Sequence, residues 1–173
     1  MLRSNVIEPS ISPWNSPVLF VNKKMVDKEG NTIPERRMCV DLRAVNSRTS
    51  KINFPIPTVD HTIHKLRGCS YFTCFNILSG FWHLTMADSV RQYFAFSTEE
   101  GHYQFKVLPF GWVNSPFYFQ RFTQTCIANQ AKDCCRAYIN DLVIYSKTKE
   151  EHFQHIRKVL DIVRSANVRL KMS

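Results

Sequence analysis

Apolar and polar positions alternate in short bursts early in the chain and in longer helical waves toward its end. The stretch "SPVLFVNKK" reads as a strand closing on lysines, and "RRMCVDLRAVN" as the strand that returns to it. Between them "MVDKEGNTIPER" is polar and rich in turn residues, the composition of a hairpin loop. Six of the eight prolines fall within the first 57 residues, which favours an extended start with short strands. In "TVDHTIHKLRG", Val59, Ile63 and Leu66 recur at helical spacing, with Thr58 to open a short helix and Gly68 to end it.

Further along, "SYFTCFNI" has the unbroken apolar character of a buried strand. "NSPFYFQRFTQTC" predicts a helix capped by Asn114 or Ser115, with Pro116 in the first turn, where its missing N–H costs nothing. Phe119, Phe122 and Cys126 share one face of it and read as core. "AYINDLVIYS" is a pair of apolar strands about a tight Asn140–Asp141 corner. Thr148 and Glu151 form a capping box, opening a helix whose apolar stripe is Phe153, Ile156, Leu160 and Val163. Strands and helices interleave irregularly and the clearest hairpin is antiparallel, so the expected fold class is α+β.

Composition narrows the function. Apolar residues make up 44% of the 173, with 13 Phe, enough for a buried core in one domain or a piece of a larger protein. Lys and Arg outnumber Asp and Glu by 23 to 14, a net charge of +9, and a chain this basic attracts polyanions, nucleic acid first. No apolar run approaches a transmembrane helix, and "MLRSNVIEPS" is too polar for a signal peptide. The expectation is therefore an intracellular domain, cytoplasmic or nuclear, with no membrane. The six cysteines form no C-x-x-C pair and read as buried reduced thiols. His61/His64 and His152/His155 lack the acidic or thiol partners of a zinc site.

Three stretches then align with one family. "YFTCFNILSGFWHL", "GHYQFKVLPFGWVNSPFYFQR" and "AYINDLVIYS" resemble successive blocks of the reverse transcriptases of gypsy-type retroelements and retroviruses, the last being their Y-x-D-D hairpin. "SPWNSPVLFVNKK" and "RRMCVDLRAVN" resemble their two finger strands. The resemblance runs from about Ser12 to Leu170 and implies a fingers-and-palm fold. Fingers would occupy roughly 12–57 and part of 85–105, the remainder would be palm, and thumb, connection and RNase H would lie beyond Ser173.

That family joins nucleotides by in-line phosphoryl transfer, with two divalent ions stabilising the attacking and leaving oxygens. Holding both ions calls for clustered carboxylates. The family's three catalytic positions are Asn76, Asn140 and Asp141 here, so two of three carboxylates are amides. The implied Mg²⁺ is expected to bind weakly through Asp141, or not at all, and polymerisation to be absent or nearly so.

The resemblance further implies that Lys23 and Arg37 reach the triphosphate of an incoming deoxynucleotide. Lys24 rivals Lys23, because "VNKKMV" departs from the family's V-K-K-K-D. Ile77 would contribute its backbone, Phe81 would gate against a ribose 2′-OH, and Phe110 and Gly111 would floor the pocket. Trp82 and Trp112 depart from the family's usual residues and could narrow it. Asp41 and Arg43 would contact an RNA or DNA template–primer, or pair with each other. A weakly active polymerase and an interaction module are the alternatives.

Overall fold

The computed structural model describes residues 1–26, 32–53 and 66–171. They form two units, Met1–Lys51 with Leu84–Ser115 and Ile52–His83 with Pro116–Ser173.

The first unit holds a two-stranded ribbon and a three-stranded sheet. The ribbon pairs β2 (Val18–Val26) with β3 (Thr32–Val40), from Val18↔Val40 to Val26↔Thr32. Its strands run further into "MVDKEGNTIPER" than the polar pattern predicts. Pairing in the ladder is made by backbone groups, so polar residues can extend it. The returning strand also stops earlier than expected, at Val40. Asp41 accepts the Arg43 backbone N–H at 3.1 Å, turning the chain into the short helix α1 (Arg43–Ser47).

The sheet has the order β1 (Ile7–Pro9), β6 (Gly101–Phe105), β5 (Ala95–Thr98), all antiparallel, with α2 (Asp88–Arg91) leading into β5. Ile7, Phe94, Phe96, Phe105 and Leu108 are buried here. Glu8 fastens β1: the Gln104 amide donates to it at 2.9 Å, and Arg91 and Lys106 lie at 3.4 and 3.8 Å. The Gln104 N–H holds the Glu8 carboxyl below its ordinary range; desolvation opposes this, and the two cations reinforce it.

The second unit is a sheet of order β4 (Tyr71–Asn76), β8 (Asp141–Ser146), β7 (Cys135–Tyr138), with helices α3 (Ser115–Cys126, from Pro116 on) and α4 (Lys149–Ser165). The capping box forms: Thr148 Oγ1 accepts the Glu151 N–H, and Glu151 accepts the Thr148 N–H, both at 3.3 Å. Central β8 buries Leu142 and Ile144 fully. β4, expected to be buried, instead exposes Tyr71, Phe72, Cys74 and Asn76, because it is an edge strand.

Helix α4 departs from its predicted stripe in the same way. Val163 is buried and Ile156 half-buried, but Phe153 and Leu160 are exposed, while His152 and Val159 turn inward. A polar chain explains the rotation. Thr73 Oγ1 meets His152 Nε2 at 2.8 Å, and Ser146 Oγ meets His152 Nδ1 at 2.9 Å and His155 Nδ1 at 2.7 Å. Counting apolar residues alone cannot anticipate an anchoring imidazole.

Cys134 and Cys135 are buried free thiols, and burial first, with Cys134 adjacent, pushes Cys135 up to about 12. Cys39 and Cys74 are exposed, against the expectation of buried thiols, since both lie on ribbon or edge strands. Residues 58–65 of the expected Thr58–Gly68 helix, with His61 and His64, lie outside the described residues. No helix among the described residues is long and apolar enough to cross a membrane.

Candidate active site

Strand β4 ends where β8 begins: Asn76 and Asp141 are ladder partners, and Ile139 and Asn140 make the turn from β7. The left-handed angle in that turn falls on Ile139, at φ 50°, and not on the more tolerant Asn140. A β-branched residue pays roughly 1–2 kcal/mol for that conformation.

What holds it is Gln120 of α3, which is fully buried. The Ile139 N–H donates to Gln120 Oε1 at 2.6 Å, and Gln120 Nε2 donates to the Ala137 carbonyl at 3.0 Å. The Ile77 N–H then donates to the Asn140 carbonyl at 2.8 Å, tying the turn to the end of β4. Sequence reasoning gave Gln120 no role. The available signal was a polar residue between Phe119 and Thr123 on the core side of the helix.

At the corner, Asn76 Nδ2 donates to Asp141 Oδ1 at 2.8 Å. A carboxylate only accepts, so the amide must present its nitrogen. Asn140 Oδ1 is buried and has no hydrogen-bond partner. It lies against Gly80, where an added Cβ would collide with it and come within 2.7 Å of the Phe119 ring. Gly80 is thus required by close approach. Ile77 is buried, and Phe81 is buried edge-on to Phe119 with centroids 5.6 Å apart. The second unit therefore gathers Asn76, Ile77, Phe81, Asn140 and Asp141. Among the described residues, no group of three or more His, Cys, Asp or Glu could hold a metal ion.

The first unit carries the other residues. The ribbon register sets Lys23 opposite Glu35 and Arg37 opposite Val21, diagonal neighbours in the ladder. Arg37 is exposed. Asp41 and Arg43 do pair: Nε reaches both carboxylate oxygens at 2.9 and 3.0 Å, and Nη2 reaches Oδ2 at 2.6 Å. These hydrogen bonds lower the Asp41 carboxyl and raise the Arg43 guanidinium. Phe110 is exposed in a loop where Gly111 adopts φ 91°. Trp112 packs edge-on to Phe94 at 5.3 Å, and its indole N–H donates to Thr49 at 3.4 Å.

Chains of known structure share this architecture. The foamy virus protease–reverse transcriptase (prototype foamy virus, CSH mutant) matches with a TM-score of 0.80 at 24% identity, over 98% of this chain and 21% of that one. A foamy viral protease–reverse transcriptase in complex with an RNA/DNA hybrid matches with a TM-score of 0.77 at 22% identity, over 98% and 22%. That likeness defines the polymerase fold.

The family follows from sequence: residues 22–173 match the model for "Reverse transcriptase (RNA-dependent DNA polymerase)", and the chain belongs to that family. The retrovirus-related Pol polyprotein from transposon gypsy of Drosophila melanogaster is 34% identical over 170 residues, covering 98% of this chain and 16% of the polyprotein. The putative enzymatic polyprotein of Cassava vein mosaic virus is 39% identical over 149 residues, covering 86% and 22%. This is a reverse-transcriptase-like domain of retroelement origin, spanning about a sixth to a fifth of the length of those relatives. The family uses Mg²⁺.

Proposed function

We propose that this domain keeps the scaffold and nucleic-acid affinity of its family and adds nucleotides slowly or not at all. The observation that carries the reading is the corner itself. Two divalent ions about 3.5–4 Å apart need clustered charged oxygens. Here one carboxylate remains, one of its oxygens accepts the Asn76 amide, and the Asn140 oxygen is enclosed against Gly80. That donor set does not fit a two-metal centre.

A unit charge 4 Å from a divalent ion is worth at most about 8 kcal/mol at an effective dielectric near 20. Even a third of that, lost at two ligands, is on the order of 5 kcal/mol, several thousandfold in rate.

The remaining assignments rest on family resemblance. Fingers over roughly residues 12–57 and part of 85–105, with palm as the remainder, find support in a first unit made of Met1–Lys51 and Leu84–Ser115, although that unit also takes in residues 106–115. Lys23 and Arg37 serve the phosphates of a deoxynucleotide, Ile77 and Phe81 its sugar side, and Phe110 and Gly111 its floor. Asp41 and Arg43 face the template as an ion pair. Foamy viral relatives of this fold are solved with double-stranded DNA and with an RNA/DNA hybrid. With a net charge of +9, this chain should hold a template–primer duplex weakly, at about 10⁻⁴–10⁻⁶ M, with steep salt dependence.

The test is primer extension on an RNA template in Mg²⁺ and in Mn²⁺, for the natural sequence and for Asn76→Asp/Asn140→Asp. The reading expects extension from the double variant alone, and robust extension by the natural sequence refutes it. Duplex binding is measured in the same buffers. No binding at low salt favours the interaction module instead.

A further inference from the structure

We propose that Asn46 is a positioning residue that sets the loop carrying Phe110 and Gly111, and through it the nucleotide floor; this rests on the floor role given to those two residues above. Asn46 lies near the end of α1, half-buried, and both ends of its carboxamide are committed. Nδ2 donates to the Gly111 carbonyl at 2.8 Å, and Oδ1 accepts the Val113 N–H at 2.9 Å. One donor and one acceptor, meeting peptide groups two residues apart, copy the way a neighbouring strand grips a backbone.

The gripped segment needs such a hold. Gly111 sits at φ 91°, and nothing lies within 4 Å of where its Cβ would be, so backbone angle and not crowding calls for glycine there. Glycine brings conformational freedom with that angle, and freedom next to a binding surface must be removed by other contacts. Phe110 keeps 49% of its surface exposed, so burial alone does not orient its ring. Asn46 holds the carbonyl of the residue that follows Phe110. Trp112 to Thr49 and Asn114 to the Ser50 carbonyl, at 3.4 and 3.0 Å, continue the tie along the same stretch of chain. Asn46 touches no nucleotide in this account; it acts through the loop.

The chemistry of the grip supplies a specific test. In Asn46→Asp, an ionised carboxylate still accepts the Val113 N–H but turns an oxygen toward the Gly111 carbonyl, and the two repel. Protonation restores a donor at that oxygen and with it the original geometry. Repulsion from the carbonyl raises the pKa of the new carboxyl, so recovery falls within reach of mild acid.

The experiment follows the Gly111 and Val113 amide signals by NMR in the full chain, with dTTP and Mg²⁺ as the probe, at pH 8 and pH 5. The natural sequence is measured at both pH values as the baseline. Asn46→Ala is expected to lose protection of the Val113 amide and to bind dTTP about tenfold more weakly. Asn46→Asp should match Asn46→Ala at pH 8 and return toward the natural sequence at pH 5, a recovery that general loss of folding does not produce. Unchanged Val113 protection in Asn46→Ala overturns the proposal, as does a displaced loop with undiminished dTTP affinity. If the natural sequence itself binds no dTTP at millimolar concentration, the floor reading fails, and the Val113 amide alone judges the brace.

Discussion

Two turns in this molecule are held by the same device and have fared differently. In the second unit, Gln120 grips the Ala137–Ile139 backbone; in the first, Asn46 grips Gly111 and Val113. Each carboxamide gives one donor and one acceptor to a turn containing a left-handed residue. The difference lies in the residue being held. Gly111 adopts its angle freely and its brace is half-buried, whereas Ile139 is strained and its brace is fully buried. The Gln120-braced turn is also the one that leads into the corner proposed above to have lost its metal-binding carboxylates. A brace is tied to folding stability, while a metal ligand is tied only to chemistry, so the first can persist when the second is gone.

The largest expected effect breaks that comparison directly. Gln120→Ala leaves the Ile139 N–H and Ala137 carbonyl unsatisfied and opens a cavity, and should cost about 3–5 kcal/mol. Asn46→Ala, at a half-buried site, should cost about 1 kcal/mol. Urea titrations of both variants measure the gap, and equal losses would mean that the burial of the brace does not matter.

Placing a carboxylate at both amide positions comes next. Asn76→Asp/Asn140→Asp replaces the 2.8 Å amide–carboxylate hydrogen bond with like-charge repulsion. We expect a loss of about 2 kcal/mol without metal, roughly 5 °C in melting temperature, partly recovered by millimolar Mg²⁺. A double variant as stable as the natural sequence in a metal-free melt would leave relief of repulsion with no part in the corner.

A smaller effect separates Asn140 from its notch. Gly80→Ala should cost about 1–3 kcal/mol, since the methyl meets both Asn140 and the Phe119 ring. In a double-mutant cycle with Asn140→Ala part of that loss should vanish, and strict additivity would show that the amide does not occupy the glycine's space.

The smallest effect lies in the first unit and depends on pH. The Glu8 carboxyl is depressed, chiefly by the Gln104 amide. Its contribution is complete above the unfolded glutamate value of about 4.3 and fades as pH falls through the lower folded value. Melts of Glu8→Gln and of the natural sequence should therefore converge as pH drops below about 4; a constant gap would remove Glu8 from the acid response.

Much of this was legible in the sequence because local rules and tertiary packing agree there. The Thr148–Glu151 box, the α3 start at Ser115–Pro116 and the antiparallel hairpin each need only neighbouring residues to specify them. The pairing of Asn76 with Asp141 followed from family motifs. What escaped prediction depends on a partner distant in sequence. β4 looked buried because its residues are apolar, but burial is decided by position in the sheet. The α4 stripe was misaligned because His152 answers to Thr73 and Ser146. Gln120 and Asn46 read as ordinary polar residues until the backbone groups they hold are seen. Intrinsic preference favours Asn140 for the left-handed angle in the corner, and a buried brace overrides that preference at Ile139.

The chain from Thr73 through His152 and Ser146 to His155 has one further consequence, in the bookkeeping of protons. Ser146 has a single hydroxyl hydrogen and faces an imidazole nitrogen on either side. If both imidazoles donated to it, that hydrogen, on a buried side chain, would lack an acceptor among these groups; if both waited to accept, one would go unserved. So one ring donates and the other receives, and when His152 receives from Ser146, its Nε2 must carry the hydrogen toward Thr73. The tautomers of the two histidines are thereby correlated. The helix and the edge strand are thus joined by a hydrogen-bonded chain with two opposite directions, set jointly by the two imidazoles.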